Sequence, residues 1–354
     1  MSSVGFISER RERIMPSPVI SLKNVTKKFE KRKIFGKKFL FTALDDITLE
    51  IPRGERLSII GESGSGKTTL ARIAAGLEKP TSGNVFWFGK DISEISKGEF
   101  NKIRPKVQYI HQNPYTSLNH ARTIFSILAD PLKKHKHPNN LKEEVSRLLK
   151  MVGLVPPEYF FNKYPRHLSG GGMQRLAIAR AMIPDPEVIF ADEIVSMVDV
   201  SFRAAIVNLL NKLNKEMNVT IVMISHDIGV ARYFSYGGGR IAVLCRGSMI
   251  EIAPAEELLG NPMHPYTRAL ILASPVTDPE LAKMKAKLLL KYNKPEEVWE
   301  TEIAEIKGCK YAPLCPFATE ECWKEKPRLR KVDGNHLVAC HRVKELPEWE
   351  LRGA

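Results

Sequence analysis

Short apolar runs alternating with amphipathic stretches set the plan of this chain. Residues 19–29 alternate weakly, as an edge strand does, and a basic, glycine-containing insertion follows at 30–41. Residues 43–51 read as a second strand, closed by the turn Pro52-Arg53-Gly54. Residues 57–60 form a short apolar strand, and a helix over 70–77 follows a glycine-rich turn and stops near Gly76. A turn at 80–83 leads into a strand at 84–88, and 107–111 has the look of a buried strand. From 116 to 165 the period becomes helical, with breaks expected at Pro131, Pro138 and Pro156-Pro157; this predicts an inserted helical subdomain. Strand and helix then alternate again: a strand at 188–191, an amphipathic helix at 201–217 and a fully apolar strand at 219–224. Such alternation makes a mostly parallel sheet covered by helices on both faces. Residues 240–245 and 248–252 predict a terminal hairpin turning at Arg246-Gly247. Beyond about Pro262 the composition shifts to proline, lysine and cysteine, so a boundary is placed there. No internal repeat is present, which leaves one such module per chain.

The turn after the third strand carries the first chemistry. Gly61-Glu62-Ser63-Gly64-Ser65-Gly66-Lys67-Thr68-Thr69, between a strand and a helix, has the pattern of a phosphate-binding P-loop. Its glycines let backbone N–H groups wrap phosphates, and the helix N-terminus adds positive potential. Lys67 is placed to reach the β- and γ-phosphates, and the Thr68 hydroxyl to ligate Mg²⁺. The sequence therefore predicts binding of a nucleoside triphosphate. The strand at 188–191 ends in Asp192-Glu193. A carboxylate at that strand end suits the Mg²⁺ of a P-loop site, and Glu193 is placed to act as general base on the attacking water.

Composition narrows the class. The chain has 354 residues, 43% hydrophobic and 27% charged, which is ample for a core. No apolar run approaches the roughly 18–20 residues that cross a bilayer. The first 18 residues lack the apolar core of a signal peptide, so a cytosolic chain that meets membranes through a partner is expected. The net charge of +14 is compatible with nucleic acid, an anionic membrane surface or phosphorylated ligands, and by itself selects none of them.

The stretch Leu168-Ser169-Gly170-Gly171-Gly172-Met173-Gln174-Arg175 resembles the signature sequence of the ATP-binding cassette family. Gly172 stands where that family usually has Gln. The resemblance implies that Ser169, Gly170 and Gly171 bind the γ-phosphate held by the opposite subunit. A helix N-terminus with a hydroxyl is a suitable anion site. Further elements follow in the family's order. Gln112 matches the glutamine that senses Mg²⁺ and water. Asp199, in Ser196-Met197-Val198-Asp199, matches the loop that couples two sites across a dimer. His226 matches the histidine that contacts the γ-phosphate, and Phe29 the aromatic that stacks on adenine. Ile194 occupies the place where the family usually has Pro. The implied fold is α/β, a P-loop NTPase of cassette type with antiparallel N-terminal strands. The expected divisions are an N-terminal tail at 1–18, an ATPase domain at 19–262 with its helical subdomain at about 113–185, and a C-terminal extension at 263–354.

Two further stretches, Lys33-Ile34-Phe35-Gly36-Lys37-Lys38 and His264-Pro265-Tyr266-Thr267-Arg268-Ala269-Leu270, look like the ATPase subunits of oligopeptide and dipeptide permeases. That group also includes importers of nickel and oligosaccharides. The resemblance implies an ATPase peripheral to the cytoplasmic face of the membrane, bound to two transmembrane permease subunits and fed by an external binding protein. It also implies pairing with a paralogous ATPase, with a homodimer as the alternative. The rival is a soluble cassette ATPase acting on nucleic acid or ribosomes. Such proteins usually carry two cassettes or long coiled-coil insertions, and this chain has neither. The extension holds Cys309, Cys315, Cys322 and Cys340, crowded as a metal site would have them in a cytosolic chain. Their spacing leaves zinc, iron–sulfur and plain thiols open, and the permease resemblance adds a [4Fe–4S] cluster, held by some members there. Cys245, in an apolar run, reads as buried packing.

Overall fold

The computed structural model describes residues 17–32, 38–293 and 306–351. The N-terminal tail through residue 16 and residues 33–37 of the basic insertion lie outside the described residues. In chain order the first elements are β1 (Pro18–Arg32), β2 (Lys38–Pro52), β3 (Arg56–Ile60), α1 (Lys67–Ala74), β4 (Ser82–Trp87), β5 (Lys90–Asp91), α2 (Lys97–Ile103) and β6 (Val107–Ile110). A helical block follows: α3 (Pro114–Ser117), α4 (Ile124–His135), α5 (Leu141–Met151), α6 (Pro157–Phe161) and α7 (Gly170–Ala181). The α/β alternation returns with β7 (Val188–Asp192), α8 (Val200–Met217), β8 (Thr220–Ser225), α9 (Ile228–Ser235), β9 (Arg240–Cys245) and β10 (Ser248–Pro254). The last part holds α10 (Ala255–Gly260), α11 (Pro265–Ala273), α12 (Pro279–Leu289), α13 (Glu320–Lys324), β11 (Arg330–Asp333) and β12 (His336–Val338).

The strands make two sheets. The smaller runs β2-β1-β4-β5 and is antiparallel; the larger runs β11-β12-β10-β9-β3-β8-β7-β6 and is parallel from β9 to β6. The β7 and β8 strands are buried at every position, which is why both read as unbroken apolar runs rather than alternating ones. Helix α1 buries Leu70, Ala71, Ile73 and Ala74 between the two sheets. Trp87 is fully buried, donates its indole N–H to Ala74 O at 2.8 Å and stacks on Phe100. Among the described residues no helix is long and apolar enough to cross a membrane.

Three expectations change. The first strand is not an edge: β1 pairs with β2 on one side and β4 on the other, and β2 takes the edge. Its weak alternation reflects a strand whose outer positions carry lysines while Ile20, Leu22 and Val25 are buried. The β1–β2 ladder also runs on into the basic insertion, with Lys31 opposite Phe39 and Arg32 opposite Lys38. Pro131 does not break its helix. Helix α4 passes through it, because Ile124, Ile127, Leu128 and Leu132 are buried in the helical core and outweigh the lost backbone hydrogen bond. Finally, the β9–β10 hairpin does not end the sheet. β12 pairs with β10 and β11 with β12, so residues beyond 262 extend the sheet.

One buried carboxylate fastens that added part. Glu251 on β10 is fully buried; it accepts from Met263 N at 2.7 Å and His264 N at 3.0 Å, and pairs with His336 Nε2 at 2.6 Å. Its three partners come from the segment leading into α11 and from β12. Removing one member of a buried charged network leaves the others unpaired, at a cost of about 3–5 kcal/mol. Glu251→Ala is therefore expected to lower the melting temperature and to speed proteolytic loss of the C-terminal extension. Unchanged melting and protection would show that apolar packing alone holds the extension.

Candidate nucleotide-binding and hydrolysis site

The loop between β3 and α1 is shaped by close backbone packing. Gly61 has φ 152° and Gly66 φ 102°. A Cβ at Gly61 would lie 2.1 Å from Leu244 O, and one at Gly66 2.5 Å from Ala43 O. Only glycine fits either place. Lys67, the first residue of α1, is buried and donates from Nζ to the carbonyls of Gly61 and Glu62, each at 2.7 Å. Burial lowers its pKa, while Glu193, Asp192 and Glu62 act the other way. Ser65 Oγ is buried with no hydrogen-bond partner among the described residues, and a Cβ at Gly64 would meet open space. An orphaned hydroxyl and an open concavity within a loop of this shape fit a phosphate.

β7 delivers the two acids in different settings. Asp192 is buried; Oδ1 accepts from Thr68 Oγ1 at 3.1 Å and Oδ2 from Tyr109 OH at 2.6 Å. Burial raises its pKa, and the two hydrogen bonds oppose that. Thr68 and Asp192 thus meet as a pair of oxygen donors suited to a hard divalent cation. Glu193 has φ 45°, a strained value for a residue of its size, and its turn is held by Ser196 Oγ donating to Glu193 O at 2.8 Å. Ile194, in the usual proline position, is buried in the helical core and anchors the turn by packing instead. The Glu193 carboxylate accepts from Gln112 Nε2 at 2.7 Å, and its other oxygen lies 3.3 Å from His226 Nδ1. Gln112 follows β6 and His226 follows β8, so the sheet order places both beside the end of β7.

A cavity of about 650 Å³ opens along the loop, lined by its residues together with Phe29, Phe41, Gln112 and Glu193. Phe29 and Phe41 are register partners in the β1–β2 hairpin, and Lys27 Nζ sits 4.9 Å from the Phe29 ring centre. The signature residues are elsewhere. Ser169 caps α7, accepting from Gly172 N at 3.2 Å, and the cavity lining does not include Ser169, Gly170, Gly171 or Asp199. The start of α7 packs instead on the loop before α8: a Cβ at Gly170 would lie 3.0 Å from Met197 O, and one at Gly171 3.6 Å from Val198. Ser169 and Asp199 are exposed there, beside exposed Met197 and Phe202.

The four extension cysteines line one small cavity of about 20 Å³, with His264 Nε2 3.9 Å from Cys309 Sγ. Burial pushes Cys309 up to about 11 and Cys340 to about 12, so both are neutral thiols at pH 7. Among the described residues no group of three or more His, Cys, Asp or Glu is arranged to hold a metal ion. Cys245 is buried, as its apolar run suggests.

Sequence reasoning missed Tyr109, Phe41, Arg246 and Lys310. Tyr109 reads as one more apolar residue of a buried strand; only parallel pairing of β6 with β7 sets its hydroxyl against Asp192. Arg246 and Lys310 line the same cavity from the β9–β10 turn and the extension, and no local pattern announces that.

Comparison with known proteins agrees with this geometry. Residues 44–196 match the ABC transporter family, and residues 250–322 the oligopeptide/dipeptide transporter C-terminal region. The chain is 40% identical to the oligopeptide transport ATP-binding protein OppF of Escherichia coli (strain K12), over 86% of this chain and 89% of that protein. It is 38% identical to the oligopeptide transport ATP-binding protein AppF of Bacillus subtilis (strain 168), over 91% and 97%. Identity to the di/tripeptide transport ATP-binding protein DppF of Pseudomonas aeruginosa (strain UCBPP-PA14) is 36%, over 92% and 98%. Among solved structures, a dimeric post-hydrolysis ATP-binding cassette bound to ADP and phosphate superposes with a TM-score of 0.58 at 34% identity, covering 67% of this chain and 98% of that one. With these similarities over most of its length, the chain belongs to the ATP-binding cassette transporter family, among its ATPase subunits.

Proposed function

We propose that this chain hydrolyses ATP to drive an importer of oligopeptides or dipeptides, working as a dimer on the cytoplasmic face of two membrane permease subunits. The observation that carries the catalytic part is the meeting of Glu193 with Gln112 and His226 beside the Lys67–Thr68–Asp192 cluster. Lys67 binds the β- and γ-phosphates, and Thr68 and Asp192 with Gln112 hold Mg²⁺, which when bound neutralises charge on those phosphates. Phe29, with Phe41 facing it in the hairpin, stacks on the base. Glu193 takes a proton from water; the water oxygen bonds to the γ-phosphorus as the β–γ bridge breaks, leaving ADP and inorganic phosphate. His226 steadies the γ-phosphate. Ser169, Gly170 and Gly171 act on the nucleotide of the opposite subunit, with Asp199 linking the two sites; their place outside the chain's own cavity supports this division. A paralogous ATPase as the second subunit follows from the permease resemblance.

The transport reading rests on relatives named for oligopeptide and di/tripeptide transport and on the matching C-terminal region. In the extension we also propose a [4Fe–4S] cluster, on the donor chemistry of its four cysteines alone. As folded, the cavity has room for about one water, and the four cysteines are not arranged to hold a metal ion.

Glu193→Gln is expected to lower the ATPase rate by about 10²–10⁴-fold while ATP binding stays near normal and the dimer persists in ATP; retained turnover would remove Glu193 as base. Ser169→Arg is expected to abolish hydrolysis and to spare nucleotide binding by the monomer, whereas lost binding would make the signature a structural element. Chain isolated without oxygen from native membranes is expected to carry two polytopic subunits and about four iron and four sulfide. Ribosomes or nucleic acid in place of permeases would overturn the transport reading, and thiols without iron would overturn the cluster.

A further inference from the structure

Two cations on the nucleotide cavity have no part in the catalytic arrangement. Arg246 belongs to the turn between β9 and β10, and Lys310 to the C-terminal extension, next to Cys309. We propose that Arg246 and Lys310 form a second cationic wall of the pocket that contacts the phosphates of the bound nucleotide, making the C-terminal extension part of the nucleotide site. The proposal rests on the ATP reading above.

The turn supplies the first argument. Arg246 and Gly247 both have positive φ, 45° and 84°, as in a two-residue hairpin turn whose first position favours Asn, Asp or Gly. A long side chain there is strained, and such strain persists where surrounding contacts impose it. Those contacts come from the nucleotide loop and from β2. Gly247 N donates to Ser65 O at 2.8 Å, Asp45 N donates to Gly247 O at 2.9 Å, and a Cβ on Gly247 would lie 2.8 Å from Ala43 O. The turn is thereby fixed to the phosphate loop with a guanidinium on the cavity.

The extension supplies the second. Arg246 Nη1 donates to Lys310 O at 3.5 Å, which joins the two residues. Lys310 Nζ donates to Ile306 O at 2.6 Å and keeps further protons for an anion. Its backbone is set by Cys309 N donating to Cys322 O at 2.8 Å. Behind it, the Tyr311 ring meets Tyr266 edge-on at 5.3 Å, and Tyr266 OH accepts from Glu62 N, inside the loop, at 2.9 Å. A rigid pair of donors at the mouth of a phosphate site has the chemistry to hold a polyanion.

The test is titration of the full chain with a fluorescent ATP analogue at low and high salt, with thermal melting alongside. Arg246→Asn supplies a residue the turn prefers, so melting is expected to stay or rise while Kd weakens by about tenfold, the loss of one charge-assisted hydrogen bond. Lys310→Gln is expected to weaken binding similarly, Lys310→Arg to restore it, and both losses to flatten the salt dependence. Variants that melt normally and bind within about twofold of the unmodified chain would overturn the proposal. If Lys310→Gln melts early, the Arg246→Asn result decides. An unmodified chain that binds no ATP analogue would overturn the ATP reading, and this proposal with it.

Discussion

A loop that binds phosphate through its backbone must leave part of its amides free for the ligand, so the chain around it has to be held largely by other means. Here Lys67 does much of that holding. Its ammonium joins the carbonyls of Gly61 and Glu62 and closes the loop into a ring without using the loop's N–H groups. Further restraint comes from the hydrogen bonds of Glu62 N to Tyr266 OH and of Gly247 N to Ser65 O, and from Leu244 O and Ala43 O pressed against glycines that have no Cβ to clash. This constraint accounts for the placement of the surrounding elements. β3 lies between β8 and β9, which fixes where the loop begins, and α1 is packed between the two sheets, which fixes where it ends.

The same arrangement separates two acids that are neighbours in sequence. Asp192 continues β7 into the buried layer and is pinned by Thr68 and Tyr109. Glu193 leaves the strand through a positive φ and turns toward Gln112 and His226. Burial and oriented hydroxyls suit the first to a cation; a partly exposed position among groups that follow neighbouring strands suits the second to water. One backbone torsion divides the labour. Packing of the Ile194 side chain into the helical core keeps that torsion in place.

The C-terminal extension is built into the cassette rather than hung from it. Two of its strands lengthen the main sheet, Glu251 is saturated by the groups that follow it, and Tyr266 reaches the backbone of the phosphate loop. The thiol cavity therefore lies a short chain of contacts from the nucleotide: His264 touches Cys309 at one end, and Lys310 lines the nucleotide cavity at the other. That continuity joins the tail to the wall of the nucleotide cavity by direct contacts.

Local sequence determined the parts whose chemistry is local. The phosphate loop, the acids at the end of an apolar strand, the signature turn and the parallel layer could all be read from residue type and period, because glycine geometry, strand burial and helix capping act over a few neighbours. Tertiary structure decided the rest. β1 reads as an edge and lies inside a sheet, because strand order depends on partners remote in sequence. Pro131 reads as a break and sits within α4, because burial of the helix face outweighs a local penalty. Tyr109, Arg246 and Lys310 reach the site only through pairing and packing between residues remote in sequence, and no local pattern carries such distances. The signature helix was legible as a motif, but that it caps a surface away from its own phosphate loop is a fact of the fold alone, since direction in space is set by the packing of α7 on α8 and not by the residues of either.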